Sequence, residues 1–556
     1  MDIISTPGLS IPPFKDVIYK SLNRYLPCTR LFCLMMLMTV PSPESNAGYG
    51  SGPGKPGAGS GSNAPIPIGS RLELFIDNYL IEKLTGQIEL RLQKPVAREI
   101  VMTHDQPWEG SGCGYKSIFK DGNKYKMFYE SWHHEASEDG SIPYHPPFCA
   151  YAESDDGINW RKPDLGLHEF NGSKNNNIVV PSGLMNGYNI DAAHCAVFKD
   201  TNPNVSPDAV YKGVFTINRG DSRGFELIAL KSADGINWAL MAKEPILTDG
   251  AFDSQNLAFW DSERKEYRIY WRIFSKEYIR GIRTAVSRDF INWEKHQDLT
   301  YTDSPDESLY TNQIKPYERA PHIFIGFPAR YVDRGMSRSM ELLPEYDKRL
   351  ARIKKSAKGV PADTETRFGT VLTEGLLMSS RDGVKFKRWN EAFLRPGISR
   401  KGSWTYGDNF IAWHIVETKS SFEDSPNELS IYASENYWKG AASKLRRYTL
   451  RLDGFVSVNT SAKGGELLTK PILFKGKSLH LNFSTSATGT VQIEIQDLNG
   501  KPINGFSMND CTPVFGDSVD YVVSWGDSTD VSALDETPIR LRIKMNDADL
   551  YSIQFR

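Results

Sequence analysis

One short phrase occurs four times along this chain and constrains its fold more than any other feature. Each copy reads Ser, any residue, Asp, usually Gly, two further residues and an aromatic, with β-prone segments on both sides. Asp-Gly tolerates the positive φ of a tight turn, and Ser and Asp side chains can hydrogen-bond its backbone. The copies span residues 154–160, 232–238, 287–293 and 380–386, with a weaker fifth at 434–438. A repeat of about 50 residues in all-β sequence predicts a propeller of four-stranded blades.

The N-terminal segment has the pattern of an export signal. Basic residues between positions 15 and 30 precede an apolar run at 31–40, and Ser45-Asn46-Ala47 offers a small-x-small cleavage site. The apolar run is too short to span a bilayer. We therefore expect a signal peptide at 1–47, a Gly/Ser/Pro linker at 48–67, and a secreted or periplasmic protein without membrane contact. The alternative is a cytosolic N-terminal extension.

Length and charge limit the number of domains and the kinds of partner that fit this chain. The 556 residues are enough for two or three domains, and 40% hydrophobic residues can form a large core. A formal net charge of −2 argues against nucleic acid as a partner. One basic group is interpreted as the solvated face of a helix: Arg349, Arg352, Lys354 and Lys355.

Strand and turn patterns divide the rest of the chain. Five blades are predicted over residues 68–450, with an insertion at about 335–367 that contains a charged helix at 340–357. Short alternating strands over 451–556 predict a C-terminal β-sandwich, which braces the propeller or binds carbohydrate. The predicted fold is therefore all-β, a five-bladed β-propeller followed by a β-sandwich.

Cysteine spacing indicates no metal site. Four cysteines lie beyond the predicted signal, and they form no CxxC pair and no zinc spacing: Cys113, Cys149, Cys195 and Cys511. We expect buried free thiols, with a Cys113–Cys149 disulfide as the alternative. No cofactor and no metal are predicted, because there is no P-loop, no dinucleotide fingerprint and no calcium loop motif.

An acidic residue precedes the innermost strand of each predicted blade. Innermost strands line the centre of a propeller, so residues that enter them converge on one rim. These acids are Glu109, Asp191, Asp253, Asp306 with Glu307, and Asp408. The Asp of each repeated turn is excluded as structural, and Asp191 and Asp408 have strand capping as an alternative role. A ring of carboxylates suits glycoside hydrolysis, which needs one protonated acid and one carboxylate. Crowded like charges raise one pKa and so supply the acid.

The second strands are expected to end at the same rim. They carry Glu130, Arg272, Arg330 and Glu417 there. Arginine in this position lowers the pKa of a neighbouring carboxyl or holds an acidic substrate group. Aromatic side chains near the rim are candidates to pack on sugar faces. These are Trp108, Trp132, His194, Trp271 and Trp404.

On these features the chain resembles the five-bladed propeller glycoside hydrolases of families 32 and 43, over residues 70–450. It also resembles secreted family-32-like proteins of planctomycete bacteria. The resemblance implies Glu109 as nucleophile or base, Asp253 as transition-state stabiliser and Glu307 as general acid. It is one of blade register, because the invertase signatures Asn-Asp-Pro-Asn-Gly, Arg-Asp-Pro and Glu-Cys are absent.

The sequence thus predicts a secreted glycosidase acting on a poly- or oligosaccharide. Two alternatives stay open. A glycan-binding propeller without catalysis predicts carboxylates that are dispersed or neutralised by Arg272 and Arg330. An interaction scaffold predicts a centre plugged by side chains and an exposed apolar patch.

Overall fold

The regular secondary structure of the described residues is almost entirely β-strand, which confirms the predicted all-β class. The computed structural model describes residues 64–133, 145–219, 224–350, 367–437 and 440–556. Residues 65–219 and 225–556 belong to one compact unit, and a second unit of residues 1–64 and 220–224 lies almost wholly outside the described residues. The predicted signal peptide, most of the linker, residues 351–357 of the predicted helix and Trp438 also lie outside them.

Four strands precede five consecutive sheets, which are antiparallel except for one parallel strand pair in the fourth. The four strands are β1 (Ile66–Gly69), β2 (Glu73–Leu74), β3 (Ile81–Leu92) and β4 (Val96–Thr103). We name the sheets I to V in chain order. Sheet I contains β5 (Ser117–Asp121), β6 (Lys124–Ser131), β7 (Phe148–Ser154), β8 (Trp160–Arg161) and β9 (Ile178–Pro181). Sheet II contains β10 (Gly183–Met185), β11 (Tyr188–Lys199), β12 (Tyr211–Asn218), β13 (Phe225–Ser232) and β14 (Ala239–Leu240).

Sheets III to V continue this order. Sheet III contains β15 (Leu257–Asp261), β16 (Glu266–Phe274), β17 (Arg280–Ser287) and β18 (Glu294–Asp298). Sheet IV contains β19 (Thr300–Thr302), β20 (Lys315–Tyr317), β21 (Ala320–Gly326), β24 (Met378–Ser380) and β25 (Lys385–Arg388), with the separate pair β22 (Ala329–Asp333) and β23 (Val371–Gly375). Sheet V contains β26 (Val416–Thr418), β27 (Glu428–Glu435) and β28 (Lys444–Arg451), and β4 from the start of the chain completes it.

The repeated phrase forms the same turn in four sheets, as predicted. In the first copy, the Ser154 hydroxyl accepts the Gly157 N–H at 2.9 Å, and the Asp156 carboxylate accepts the Ile158 and Asn159 N–H groups at 2.7 Å. The equivalent bonds recur in the other three copies. Each turn joins the strand that ends at its Ser to the next strand of the same sheet. The repeat therefore marks the register of the sheets.

The inner ends of the five sheets contact one another. One hydrogen bond joins each pair of neighbouring sheets. Val197 N–H donates to Ser117 Oγ between sheets I and II (3.2 Å), and Gln255 Nε2 donates to Cys195 O between II and III (3.1 Å). Gln313 Nε2 donates to Gln255 Oε1 between III and IV (2.8 Å), Trp413 Nε1 to Ile314 O between IV and V (3.0 Å), and Ile118 N–H to Trp413 O between I and V (3.0 Å). The cavity left between them measures about 10 Å³, which is room for about one water molecule. Side chains fill this centre, as the scaffold alternative predicts. The arrangement of the five sheets as propeller blades stays a prediction.

The C-terminal region forms one hydrogen-bonded sheet, so the predicted two-sheet sandwich is not confirmed. Its order is β3-β29-β33-β31-β32, and β2 pairs with β33. The new strands are β29 (Val456–Thr469), β30 (Ile472–Phe474), β31 (Leu479–Gln496), β32 (Asp517–Val522) and β33 (Arg540–Phe555), and β30 pairs with β1. Register shifts break the long strands at 460–465 and 485–490. Strands of 14 to 18 residues with such shifts bend while they stay paired, so the sheet curls around its own apolar core.

Helical structure is sparse. Helix α1 (Arg338–Glu341) lies within the predicted insertion, helix α2 (Arg367–Thr370) follows it, and 3₁₀ turns lie at Pro207–Ala209 and Ser532–Leu534. No helix among the described residues is long and apolar enough to cross a membrane.

Two side-chain predictions have clear outcomes. The prediction of a solvated Arg349 is wrong. This side chain is buried and donates to the carbonyl oxygens of Pro344 (3.1 Å), Ser403 (3.3 Å) and Trp404, because the chain folds back over it. The four predicted thiols are buried and free, which confirms that prediction.

Candidate functional site

Glu109 lies at the edge of sheet I in a closed ion pair. Its side chain has 0% exposure, and Lys162 Nζ donates to Oε2 at 2.6 Å. The Tyr129 hydroxyl donates to Oε1 at 2.7 Å and the Gln106 N–H to Oε2 at 3.0 Å. Both carboxylate oxygens are thus satisfied by protein groups, an arrangement that favours a structural role.

Asp253 and Arg272 face each other at the end of sheet III. The Asp253 side chain is 55% exposed, whereas the Arg272 guanidinium that it pairs with is buried. Burial lowers the pKa of Arg272, but an arginine stays charged in any protein environment. The predicted pair is therefore brought together, with its carboxylate open to solvent and already neutralised.

Glu307 belongs to a four-membered ion-pair group in sheet IV. It accepts from Arg330 Nη1 at 3.2 Å and from Arg388 Nη2 at 2.9 Å. Arg330 Nε also donates to Glu374 at 2.9 Å. Two carboxylates and two guanidiniums balance one another here. No described contact joins Glu307 to Glu109, and the two carboxylates lie in separate networks.

Three of the predicted substrate-binding residues are engaged in the packing of the protein. Trp271 is fully buried, and its Nε1 donates to the Asp249 carbonyl at 2.9 Å. Trp108 is half-buried and donates to Asn177 Oδ1 at 2.7 Å. Asp408 is buried and accepts the Tyr437 N–H at 3.3 Å.

Asp191 and His194 are brought together on strand β11, beside sheet I. The pairing of β11 with β12 shifts between Asp191 and Ala196, and such a bulge re-aims the side chains within it. His194 Nδ1 lies 3.7 Å from the Asp191 carboxylate, whose side chain is 23% exposed. The ring centroids of His194 and Tyr115 are 5.1 Å apart. Tyr115 itself has a φ of +43°, a strained value that is enriched at functional sites.

Glu130, at the end of β6, lies behind this group. It is 2% exposed, and its one side-chain hydrogen bond among the described residues is a long one from the Tyr437 hydroxyl, at 3.4 Å. Gly114 leaves room for the carboxyl, because a Cβ there would lie 2.9 Å from Oε2. No described residue forms an ion pair with the carboxylate form, which burial therefore disfavours.

The pKa values of Glu130 and Asp191 shift in opposite directions. Burial, together with the charge of Asp191, raises the pKa of Glu130 well above its usual value, although the charge of buried Lys116 acts to lower it. Burial also acts to raise the pKa of Asp191, but the adjacent His194 ring and the Ala193 N–H outweigh it and lower that pKa. The Glu130 carboxyl therefore favours its protonated form more than a free glutamate does, and the Asp191 carboxyl favours its ionised form. Two carboxyl groups held in different protonation states are the requirement for acid–base chemistry.

A wall of aromatic rings continues from Glu130 across sheets IV and V. It consists of Tyr310, Tyr331, Tyr406, Phe410 and Tyr437, with Tyr115 packed in the same cluster. Tyr310 stacks on Phe410 at 5.3 Å, and Phe410 contacts Tyr437 at 5.8 Å. Every ring of this wall except Tyr331 is at most 8% exposed, so the wall is a buried layer and only Tyr331 is partly open to solvent.

Sequence reasoning placed Glu130 at the rim but assigned it no role, and it missed the tyrosine wall. No local signal separates these tyrosines from core tyrosines, because they come from distant segments. A buried glutamate without a basic partner is visible only once the chain is folded. Among the described residues, no cluster of His, Cys, Asp and Glu is arranged to hold a metal ion.

Comparisons with known proteins find only partial structural similarity. No family model matches the chain, and no curated protein matches it. Solved structures with partial similarity include a thermostable family-43 glycoside hydrolase (11% identity, 64% of this chain and 95% of that one, TM-score 0.37). A second is a GH32 beta-fructofuranosidase from Bombyx mori (10% identity, 84% of this chain and 94% of that one, TM-score 0.35). A third is an N-acetylgalactosamine deacetylase from F. plautii in complex with blood group B trisaccharide (11% identity, 66% of this chain and 95% of that one, TM-score 0.39).

At these identities and TM-scores, no residue role and no substrate is carried over to this chain. None of the comparisons bears on the resemblance to planctomycete proteins. The roles of Glu109, Asp253 and Glu307 stay predictions.

Proposed function

We propose that this protein is a secreted or periplasmic glycoside hydrolase that uses Glu130 and Asp191 as its carboxyl pair. In this proposal sheets I to V are the blades of a five-bladed propeller, and residues 1–47 are a signal peptide removed on export. The site lies at the rim where Tyr115, His194 and the tyrosine wall meet. The substrate is a poly- or oligosaccharide.

The observation that carries the proposal is geometric: Glu130 is buried with one long hydrogen bond among the described residues, whereas Asp191 is partly exposed beside His194. Neutral Glu130 donates its proton to the glycosidic oxygen of the leaving group. Ionised Asp191, whose charge His194 supports, takes a proton from a water molecule that attacks the anomeric carbon, and proton exchange with solvent then restores both carboxyl groups. If Asp191 itself attacks the anomeric carbon, the resulting glycosyl ester is hydrolysed by a water molecule that gives its proton to the Glu130 carboxylate. The buried tyrosine wall keeps solvent away from Glu130.

A second candidate function is glycan binding without cleavage, and one observation favours it. The three carboxylates that the family resemblance selects are each paired with a cation: Glu109 with Lys162, Asp253 with Arg272, and Glu307 with Arg330 and Arg388. Neutralised carboxylates suit a binding surface, where the aromatic rings provide the affinity.

A cleavage and binding screen tests both functions. The chain from Gly48 onward is incubated with a panel of poly- and oligosaccharides, and the product ends are followed by mass spectrometry. We expect Glu130→Gln and Asp191→Asn to lower the cleavage rate by at least about 100-fold, as loss of acid–base catalysis does. Glu307→Gln is the matched control and should retain activity.

The alternative outcomes are distinct. Activity that is lost in Glu307→Gln but kept in Glu130→Gln would return the acid role to Glu307 and contradict the assignment made here. Glycan binding by all forms, with cleavage by none, would establish the binding function instead.

A further inference from the structure

Arg280, on strand β17 beside the tyrosine wall, carries a guanidinium with no hydrogen bond and no ion pair to any described residue. Its contacts are with ring faces: 4.2 Å to the centroid of Tyr331, 5.4 Å to Phe274 and 5.6 Å to Tyr310. Its Nε is buried and lacks a hydrogen-bond acceptor. A guanidinium that rests on rings by its face keeps its in-plane N–H donors available.

Arg272 adds a second positive charge at the same place. Its guanidinium lies 5.2 Å from the Tyr310 ring, which Arg280 also contacts, and its buried Nε has no hydrogen-bond acceptor among the described residues. Asp253 neutralises one of the two charges. The nearby carboxylate of Glu277, on the turn between β16 and β17, accepts a hydrogen bond from the Ser275 hydroxyl rather than from either arginine. The pair of arginines with Asp253 therefore keeps a net single positive charge.

This charge is continuous with the proposed glycan site. Tyr310 stacks on Phe410, Phe410 contacts Tyr437, and the Tyr437 hydroxyl donates to Glu130. The turn between β16 and β17 also exposes the aromatic side chain of Tyr278 next to Arg280. The rings of Tyr310, Phe410 and Tyr437 are buried, so a sugar ring would rest on the more exposed rings of Tyr331 and Phe274, which Arg280 contacts directly.

We propose that Arg280, supported by Arg272, binds an anionic group on the glycan, so that the substrate is an acidic polysaccharide. The group is a uronate carboxylate or a sulfate ester, both of which present paired oxygens that match the two-pronged donors of a guanidinium. This inference rests on the proposed function only in that the rim binds glycan. It does not depend on cleavage.

Calorimetric titration of matched oligosaccharide pairs tests the proposal. One pair is oligogalacturonides and their carboxyl-reduced counterparts, and the other is sulfated galactan oligosaccharides and their desulfated counterparts. We expect the acidic member of one pair to bind at least about tenfold more tightly than its neutral counterpart. The pair that shows the preference identifies the anionic group.

Variants on the same strand locate the effect. Arg280→Gln should abolish the preference while the affinity for the neutral member stays unchanged, and Arg280→Lys should restore part of it. Arg283→Gln is the matched control, because Arg283 already pairs with Asp298 and Asp249, and its variant should keep the preference.

Each result separates this inference from the hydrolase. Equal affinity for acidic and neutral members, no binding of any member, or a preference that survives Arg280→Gln would overturn the acidic-glycan proposal. A preference that depends on Arg280, without cleavage, would leave it standing and refute the hydrolase. Cleavage of neutral glycans without any preference for acidic ones would support the hydrolase and refute the acidic-glycan proposal.

Discussion

Replacing Glu130 by Gln should make the protein more stable at neutral pH, although Glu130 is proposed to be catalytic. The carboxyl is 2% exposed and has one long hydrogen bond, and the neighbouring Asp191 is an anion. Folding therefore holds Glu130 in its protonated form at a pH where the unfolded chain would ionise it. Gln resembles that neutral form in shape and does not ionise.

The sign and size follow from proton linkage. Below pH 4.5, the ordinary pKa of a glutamate carboxyl, Glu130 is protonated in both states and ionisation favours neither. Above it, the unfolded state gains stability by ionising while the folded state cannot, so the wild type loses about 1.4 kcal/mol of unfolding free energy per pH unit relative to Glu130→Gln. The loss continues as pH rises through the raised pKa of folded Glu130, and it levels off above that value.

Urea denaturation of both proteins at pH 4, 5, 6 and 7 measures this difference. Glu263→Gln is the control, because Glu263 is exposed, and a surface substitution of this kind changes the unfolding free energy by less than about 0.5 kcal/mol. A difference between wild type and Glu130→Gln that stays flat with pH, or that shrinks as pH rises, would refute the buried-acid reasoning.

Two further predictions concern stability. Lys162→Ala leaves the carboxylate of Glu109 buried without its cation and should lower the free energy of unfolding, measured by chemical denaturation, by about 3 kcal/mol. The control Lys124→Ala removes an exposed ion pair and should lower it by less than about 1 kcal/mol. Equal costs would show that Glu109 is not held by Lys162. Asp156→Ala removes the acceptor of two turn N–H groups and should cost about 1–2 kcal/mol, against less than about 0.5 kcal/mol for the exposed Asp155→Ala. Thermal denaturation of the two variants checks this order, and a reversed order would mean that the turn does not depend on Asp156.

Local pattern was sufficient for the strands and turns. The Ser-x-Asp-Gly copies predicted both the turn and its place between two strands, because their hydrogen bonds lie within six residues. The third copy shows how strong this pattern is, since Phe290 adopts a φ of +70° where the other copies have Gly. The hairpin around Gly122 followed from alternation and turn residues in the same way. The curled C-terminal sheet did not, because alternation cannot tell one long bent strand from two short ones.

The rim was the harder part to predict. The register of acids led to Asp191 and Asp253, whose roles stay predictions. It gave no sign that Lys162, 53 residues further along the chain, pairs with Glu109, or that Arg388, 81 residues further along, pairs with Glu307. The burial of Arg349 likewise depends on the backbone of residues 403 and 404. Sequence spacing carries no information about which distant side chain will close over a charge.

The sequence by itself determined the all-β class, the turns and the segments that end at the rim, because these depend on backbone preferences over a few residues. Only the tertiary structure decided which buried carboxyl group has a cation as its partner. Glu109 and Glu130 are both buried glutamates of sheet I, yet one meets Lys162 and the other meets tyrosines and an anion. The charge state of a carboxyl depends on burial and on the neighbours within a few ångströms, and in this protein those neighbours come from different sheets.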